Sequence, residues 1–360
     1  MKYERITIIG LGLIGSSIAR AVHTAELAET VVGCDNNEIT LTYARSHGFI
    51  DEAMRDPAIA VKHSDIVILA TPPAWMGDVA KAIGPALKPS ALVMDTASVK
   101  LPIMQAIAEH LPKHINFVPA HPIAGSEQSG IRASRTDLFH NKRVIVTPTE
   151  PLQENMLQVV DRFWRALGAR VDAMPPELHD LVYAHVSHLP QLLAFAAARI
   201  ITQPKHAQPA FTRLFHSSPQ LWTEIFLLNQ APVLAALDRY LDVIIHINRE
   251  FADAPETEPS AHDEVLAEGV LFPRIVASSL ITTVMEAEKK SGFPFARYAG
   301  SGFADFTSPA IKPPETDIEQ ISAHYKTVSN LLASFIAILT QLRSAISEGN
   351  AAELQKLLSS

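Results

Sequence analysis

The 360-residue sequence predicts an α/β unit, a mostly parallel sheet covered by helices on both faces, followed by an all-helical half. Three observations predict it. Continuous β-branched runs alternate with helical spacing as far as residue 172. Three glycines, Gly10, Gly12 and Gly15, stand between the first run and the first helical stretch. From Pro175 onward Leu, Ala, Val and Ile recur at helical spacing with few strand-like runs. Residues 1–174 and 175–360 are therefore expected to form the two domains.

The first element, residues 6–9, reads as a buried strand that runs straight into the glycines, after which Ile14, Ile18, Ala21 and Val22 mark a helix face. Gly10 permits the turn, Gly12 lets backbone approach a pyrophosphate, and Gly15 lets helix pack closely on sheet. The first helical residues, Leu13 and Ile14, bring N–H groups and the positive helix end to the phosphates. A second run, residues 31–33, ends in Asp35, twenty residues after Gly15, where a ribose-binding carboxylate belongs. A carboxylate accepts hydrogen bonds from a ribose diol and repels a 2′-phosphate. Asn36 and Asn37 follow, with no Arg or Lys in the turn, so this Rossmann-type arrangement is expected to bind NAD rather than NADP.

The next strand, residues 65–70, exits at Thr71 and Pro72, which are expected to touch the cofactor. Strand 91–95 exits through Thr96, Ala97, Ser98, Val99 and Lys100, and a helix then runs to about residue 110. A strand at 116–119 leads into a polar loop, residues 121–130, that holds His121, Ser126 and Glu127. Strands at 142–148 and 169–172, with a helix at 152–167 between them, are expected to complete the sheet. Right-handed crossovers gather the C-terminal strand ends on one edge, so Ser98 and His121 are expected to face the nicotinamide.

In the helical half one linker-like stretch, residues 251–264, divides a faint repeat, 185–250 and 268–348. His188, Leu189 and Pro190 precede a helix and then Ala210, Phe211, Thr212 and Arg213; Leu271, Phe272 and Pro273 precede a helix and then Asp305, Phe306, Thr307 and Ser308. The second copy lacks the histidine and the arginine. Its pairing with the first is one expectation for the helical half, a homodimer through that half the other.

Composition narrows the functional classes. A net charge of −8 with no sustained basic stripe gives no general attraction to nucleic acid or an anionic membrane. The lone Cys34, at a strand end, allows neither an intrachain disulfide nor a cysteine-based zinc site, and it reads as a small buried hydrophobe. No metal site is expected. A strand begins within five residues of the N-terminus, and no charge-free apolar run of about 18 residues is read as a membrane span, so the chain is expected to be cytoplasmic.

The segments GLGLIG, DTASVK, HPIAGSEQSG, ELHDLVYAHVSHLPQ and TRLFHSSPQLWTEIFLLN, spread over residues 6–229, resemble the prephenate/arogenate dehydrogenase family of tyrosine biosynthesis. The resemblance implies oxidative decarboxylation of a cyclohexadienyl acid: a hydride passes to NAD, CO2 leaves and the ring becomes aromatic. Such a reaction needs a base near the ring hydroxyl, and a neutral imidazole suits that role near neutral pH. His121 is the candidate. Ser98 is expected to share the hydroxyl or orient the nicotinamide, and also to cap the helix that follows. The substrate's carboxylates call for a fixed cation, and Arg213 matches the family's substrate-binding arginine. His188 and Ser126 are expected to line the pocket, and Glu127 and Asp180 to brace it through ion pairs. Some family members have a second histidine where this chain has Gln191, which leaves prephenate against arogenate open. The step from Pro190 to Arg213, 23 positions, is shorter than the family pattern. Two other readings are a β-hydroxyacid dehydrogenase, whose characteristic helical Gly-x-x-x-Lys is missing after residue 150, and a non-catalytic NAD-binding sensor.

Overall fold

In the computed structural model, which describes residues 2–125, 128–148, 155–252, 265–311 and 324–359, the first apolar run becomes β1 (Tyr3–Ile9) and the glycine-led stretch α1 (Leu13–Thr24). β2 (Ala28–Cys34), α2 (Glu38–Ser46), β3 (Glu52–Met54), α3 (Pro57–Ala60), β4 (Ile66–Leu69), α4 (Met76–Ile83), β5 (Leu92–Asp95), α5 (Leu101–Ala108) and β6 (Asn116–Phe117) follow. The six strands form a wholly parallel sheet in the order β3-β2-β1-β4-β5-β6. Its core is the β-branched set that the sequence marks: Ile6, Ile8, Val31, Ile66 and Ile68 are each at most 1% exposed. Burying such a side chain contributes about 1.5–3 kcal/mol.

Register decides what happens at the carboxyl edge. Ile9 lies opposite both Cys34 and Leu69, and Leu69 opposite Asp95. The residues that follow, Gly10, Asp35, Ala70 and Thr96, therefore emerge in one row, with the reversal of strand order between β1 and β4 at its centre.

Two features depart from the sequence expectation. β3 carries no apolar run; it is an edge strand held by Arg5 of β1, whose guanidinium donates to both oxygens of Glu52 at 3.0 and 2.6 Å. The strands expected to complete the sheet do not join it. β7 (Ala120–Pro122), β8 (Arg143–Val146) and β9 (Arg170–Ala173), with α6 (Met156–Ala166) before β9, make a separate three-stranded sheet, β7 antiparallel to β8. Proline is the physical reason. Val118 still donates to Val93, but Pro119 has no N–H to continue the ladder, and its carbonyl instead accepts from Thr147 at 3.0 Å.

The chain divides into two compact units, Met1–Asp180 and Leu181–Ser360. α7 (Pro176–Tyr183) passes into a π-helical turn (Ala184–His188) and then α8 (Leu189–Ala198), with Pro190 in its first turn. A proline lacks the N–H that would bond back one turn, which favours such a widened turn. α9 (Pro209–Thr212), α10 (Pro219–Leu228) and α11 (Gln230–Ala252) follow. After the linker come a second π-helical turn (Ala267–Leu271), α12 (Phe272–Ser291), α13 (Ser301–Ile311), α14 (Tyr325–Ser347) and α15 (Ala351–Ser359).

Three helical stretches, Pro176–Ala198, Ala267–Ser291 and Tyr325–Ser347, are long and apolar enough by length and composition to cross a membrane, which corrects the expectation of none. The first contains residues 181–198 without one Asp, Glu, Lys or Arg, because His185, His188 and Gln191 supply its polarity without formal charge. Its apolar window is 83% buried within the protein.

Candidate active site

The row at the sheet's edge has the shape of a dinucleotide cradle. A Cβ on Gly15 would stand 1.8 Å from the Gly10 carbonyl oxygen, and one on Gly10, at φ +93°, 2.6 Å from that of Ala70. No other residue fits either place. Around Gly12 there is open space, and α1 starts with no side-chain cap and no acid in its first turn, so its N–H groups suit an anion. Asp35 accepts from the backbone N–H of Leu11 at 2.8 Å and of Asn37 at 2.9 Å, which ties the glycine turn to the end of β2. A carboxylate has lone pairs left for a ribose diol. Beside Pro72, the Thr71 hydroxyl oxygen is buried with no hydrogen-bond partner among the described residues, an acceptor-donor that a bound ligand would satisfy. These residues fit NAD.

One cation lies closer than the sequence suggests. Arg55, just past β3, donates to the Asn36 carbonyl at 3.3 Å, so the turn after Asp35 has a guanidinium beside it. Cys34 is inert: burial pushes its thiol up to about 12, with Asp35 and Asp56 adding to the effect.

His121 lies in β7 rather than in a loop, 7% exposed, and heads a chain of polar contacts. Its Nδ1 is 2.8 Å from Nε2 of His179, whose Nδ1 is 2.8 Å from Oδ1 of Asp180. Asp180 also accepts the backbone N–H of Lys100 at 2.7 Å and of Leu101 at 2.9 Å, at the N-terminus of α5. The protonation pattern follows from its fixed end. A carboxylate accepts only, so with both rings neutral His179 donates from Nδ1 and accepts at Nε2, and His121 donates from Nδ1 and keeps its lone pair on Nε2.

Beneath this chain lies an ion pair with both partners fully buried, Lys100 and Asp95. It grips the residue before His121 from both sides. Lys100 Nζ donates to the Ala120 carbonyl at 2.7 Å, and the Ala120 N–H donates to Asp95 Oδ1 at 3.1 Å. Asp95 Oδ2 accepts from Ala97 at 2.9 Å, which holds the turn that carries Ser98. Burial draws the Lys100 ammonium below the ordinary lysine value, against the opposing pull of Asp95. Ser98 is half-buried in that turn and is not a helix cap, since α5 begins at Leu101 with Lys100 in the cap position. Ser126 and Glu127 lie outside the described residues.

In the helical unit, His188 is fully buried at the end of the π turn, with Nδ1 2.9 Å from the Asn229 amide nitrogen and its ring edge-on to Trp222. Gln191, 2% exposed, donates to the Leu214 carbonyl at 2.9 Å and accepts from Ser217 Oγ at 3.1 Å. It thus pins the turn that contains Arg213. Arg213 donates from Nε to Asp305 Oδ2 at 3.0 Å, and from Nη2 to the same oxygen, its side chain 33% exposed. In the π turn, burial holds His185 below the ordinary imidazole value, a hydrogen bond to the Leu181 carbonyl opposing it.

The sequence reading missed the roles of His179, Asp95 and Lys100, and it cast Asp180 as an ion-pair brace rather than the anchor of a histidine chain. The available signal was the His-Asp adjacency and two charged residues standing between apolar runs.

Two family models cover nearly the whole chain: "Prephenate dehydrogenase, nucleotide-binding domain" over residues 18–173, and "Prephenate dehydrogenase, dimerization domain" over residues 175–256 and 258–360. A cyclohexadienyl dehydrogenase of Zymomonas mobilis is 36% identical over 251 residues, 66% of this chain and 85% of that protein. A prephenate dehydrogenase of Bacillus subtilis is 28% identical over 270 residues, 71% and 72% of the two chains. Among solved structures, the Aquifex aeolicus prephenate dehydrogenase in complex with hydroxyphenyl propionate and NAD+ superposes with a TM-score of 0.63 at 31% identity, covering 70% of this chain and 93% of that one. The Synechocystis arogenate dehydrogenase gives 0.59 at 27%, covering 68% and 92%.

Proposed function

Because the chain belongs to the prephenate dehydrogenase family, we propose that it catalyses the NAD-dependent oxidative decarboxylation of prephenate to 4-hydroxyphenylpyruvate, or of arogenate to tyrosine, in the cytoplasm, as a step of tyrosine biosynthesis. The observation that carries this reading is the His121–His179–Asp180 chain, which leaves a basic nitrogen at Nε2 of a buried, positioned imidazole.

NAD, when bound, supplies the acceptor for the hydride that leaves the hydroxyl-bearing ring carbon. As that hydride departs, the carbon–oxygen bond gains carbonyl character and the hydroxyl proton becomes acidic. His121 Nε2 takes the proton. The ring carboxylate leaves as CO2, its bonding pair completes the aromatic ring, and the resulting phenolate oxygen takes the proton back from His121 to become a phenol. The positive charge on His121 is met by His179 and, through it, by Asp180, which two backbone N–H groups hold in place. General-base assistance of this kind contributes about 10²–10⁴ in rate. Arg213 serves a substrate carboxylate; its fork already holds one carboxylate, that of Asp305, through Nε and Nη2. Gln191 supports that arginine's turn through both ends of its amide, which keeps a second N–H and a second lone pair for the substrate.

Arogenate shares the ring carboxylate and hydroxyl on which this chemistry acts, so it is measured beside prephenate. NADH formation is followed with each acid for the native chain and for His121→Asn. NADH is expected from the native chain, with kcat of the variant about 10²–10⁴-fold lower and NAD affinity retained. Absence of NADH with both acids, despite NAD binding, would sink the assignment in favour of a sensor.

A further inference from the structure

We propose that residues 267–347 are a built-in partner subunit: a second copy of the fold of residues 184–252 that has lost its polar site and docks on the first copy within the same chain.

The two copies match in local structure, not only in sequence. Each opens with a five-residue π-helical turn, Ala184–His188 and Ala267–Leu271, and each turn is followed by a helix with a proline in its first turn. π turns are rare, so two in equivalent places mark a common origin. Each copy then ends in a helix of 23 residues, α11 and α14. Val233, Leu237, Tyr240 and Ile244 are buried on the first; Val328, Leu332, Phe335 and Leu339, at the same four positions, are buried on the second.

The contacts between the copies have the form of a two-fold interface. On such an axis a residue meets its own counterpart. Tyr240 meets Phe335 with ring centroids 6.4 Å apart, and the shift of 95 residues that relates them also carries Phe211 to Phe306, whose rings are 4.8 Å apart. Two counterpart pairs in contact place a pseudo-two-fold axis inside the chain.

Other contacts run one way only. Arg343 of α14 donates to both oxygens of Asp238 on α11, but the counterparts of that pair are Asn248 and Ala333. Arg213 is bonded to Asp305, and there the counterparts are Ser308 and Ala210. Two identical first copies would not reproduce either bond, so the faces have diverged as a fixed pair. His188 is likewise replaced by Leu271, so the helical unit has one site, with Asp305 of the second copy against its arginine. The family model for this half is described as a dimerization domain, and it spans both stretches, 175–256 and 258–360. A covalent link makes their docking intramolecular, at an effective concentration in the millimolar range.

The test is the mass of the native full-length chain by sedimentation, from about 10 μM down to about 10 nM, with turnover per chain measured at each dilution. We expect one species of 39.3 kDa throughout and constant turnover. A species of twice that mass across the range, or turnover that falls as a dimer dissociates, overturns the proposal. The mass decides the matter even if neither candidate acid is turned over, so this inference and the functional reading fail separately.

Discussion

Replacing Lys100 by methionine tests the buried clamp behind His121. Both partners of the Lys100–Asp95 pair are fully buried, and methionine fills most of the lysine's volume, so the change is chiefly electrostatic. It leaves Asp95 with two backbone donors, Ala97 and Ala120, but no counter-charge. Breaking one side of a buried pair costs about 3–5 kcal/mol. The Ala120 carbonyl also loses its donor, which adds roughly 1–3 kcal/mol if nothing replaces it. A loss of at least about 4 kcal/mol is therefore expected, much of the 5–15 kcal/mol by which a domain is ordinarily stable. The partner change separates charge from hydrogen bonding. Lys100→Met with Asp95→Asn removes the stranded charge yet keeps an acceptor, and it should recover part of the loss. Lys100→Met with Asp95→Leu leaves two buried N–H groups unpaired and should recover none, unlike an isolated pair replaced by apolar residues. The assay is urea unfolding followed by fluorescence of Trp164, buried in the first unit, with Trp75 and Trp222 changed to phenylalanine so that only this unit reports. A loss under about 1 kcal/mol for Lys100→Met, or full recovery with Asp95→Leu, refutes the reasoning.

Two further outcomes are expected. Asp35→Ser removes the carboxylate that repels a 2′-phosphate while Arg55 stays beside the turn, so the ratio of kcat/KM for NADP over NAD should rise at least about tenfold, or roughly 1.4 kcal/mol; an unchanged ratio means that Asp35 does not meet the ribose. His185 has its imidazole lowered in the folded chain, so its contribution to stability is present above the unfolded value of about 6.5 and is lost as pH falls through the folded value. Urea unfolding of the helical unit, read by Trp222, should weaken over that window, and His185→Gln should flatten the slope; equal slopes in both proteins would assign the acid sensitivity to another group.

What the sequence discloses, and what it withholds, follows the reach of the forces involved. The cradle from Gly10 to Asp35 was legible because its strand, turn and helix are set by neighbours, and the parallel register then follows from short apolar runs. The second sheet was not, because its pairing of His121 with Ile145 depends on a ladder interrupted at Pro119, a long-range choice that periodicity does not encode. His179 escaped for the same reason: nothing in spacing says that it meets a ring 58 residues earlier. Lys100 read as a turn residue and Asp95 as a strand end, since a fully buried charge pair is the less common fate of such side chains. Gln191 was placed by resemblance, and nothing in its spacing discloses that its amide also holds a backbone turn.

The meeting of Tyr240 with Phe335 has a consequence for how such a protein is free to change. In an assembly of identical chains every substitution arrives twice, and a residue on the axis must tolerate itself: two tyrosines there would bring two hydroxyls needing acceptors. Here only one does, and the Val276 carbonyl receives it at 3.2 Å. Fusion has thus released each half from mirroring the other, so that one lobe can drift in polarity and size while the other stays bound to its chemistry.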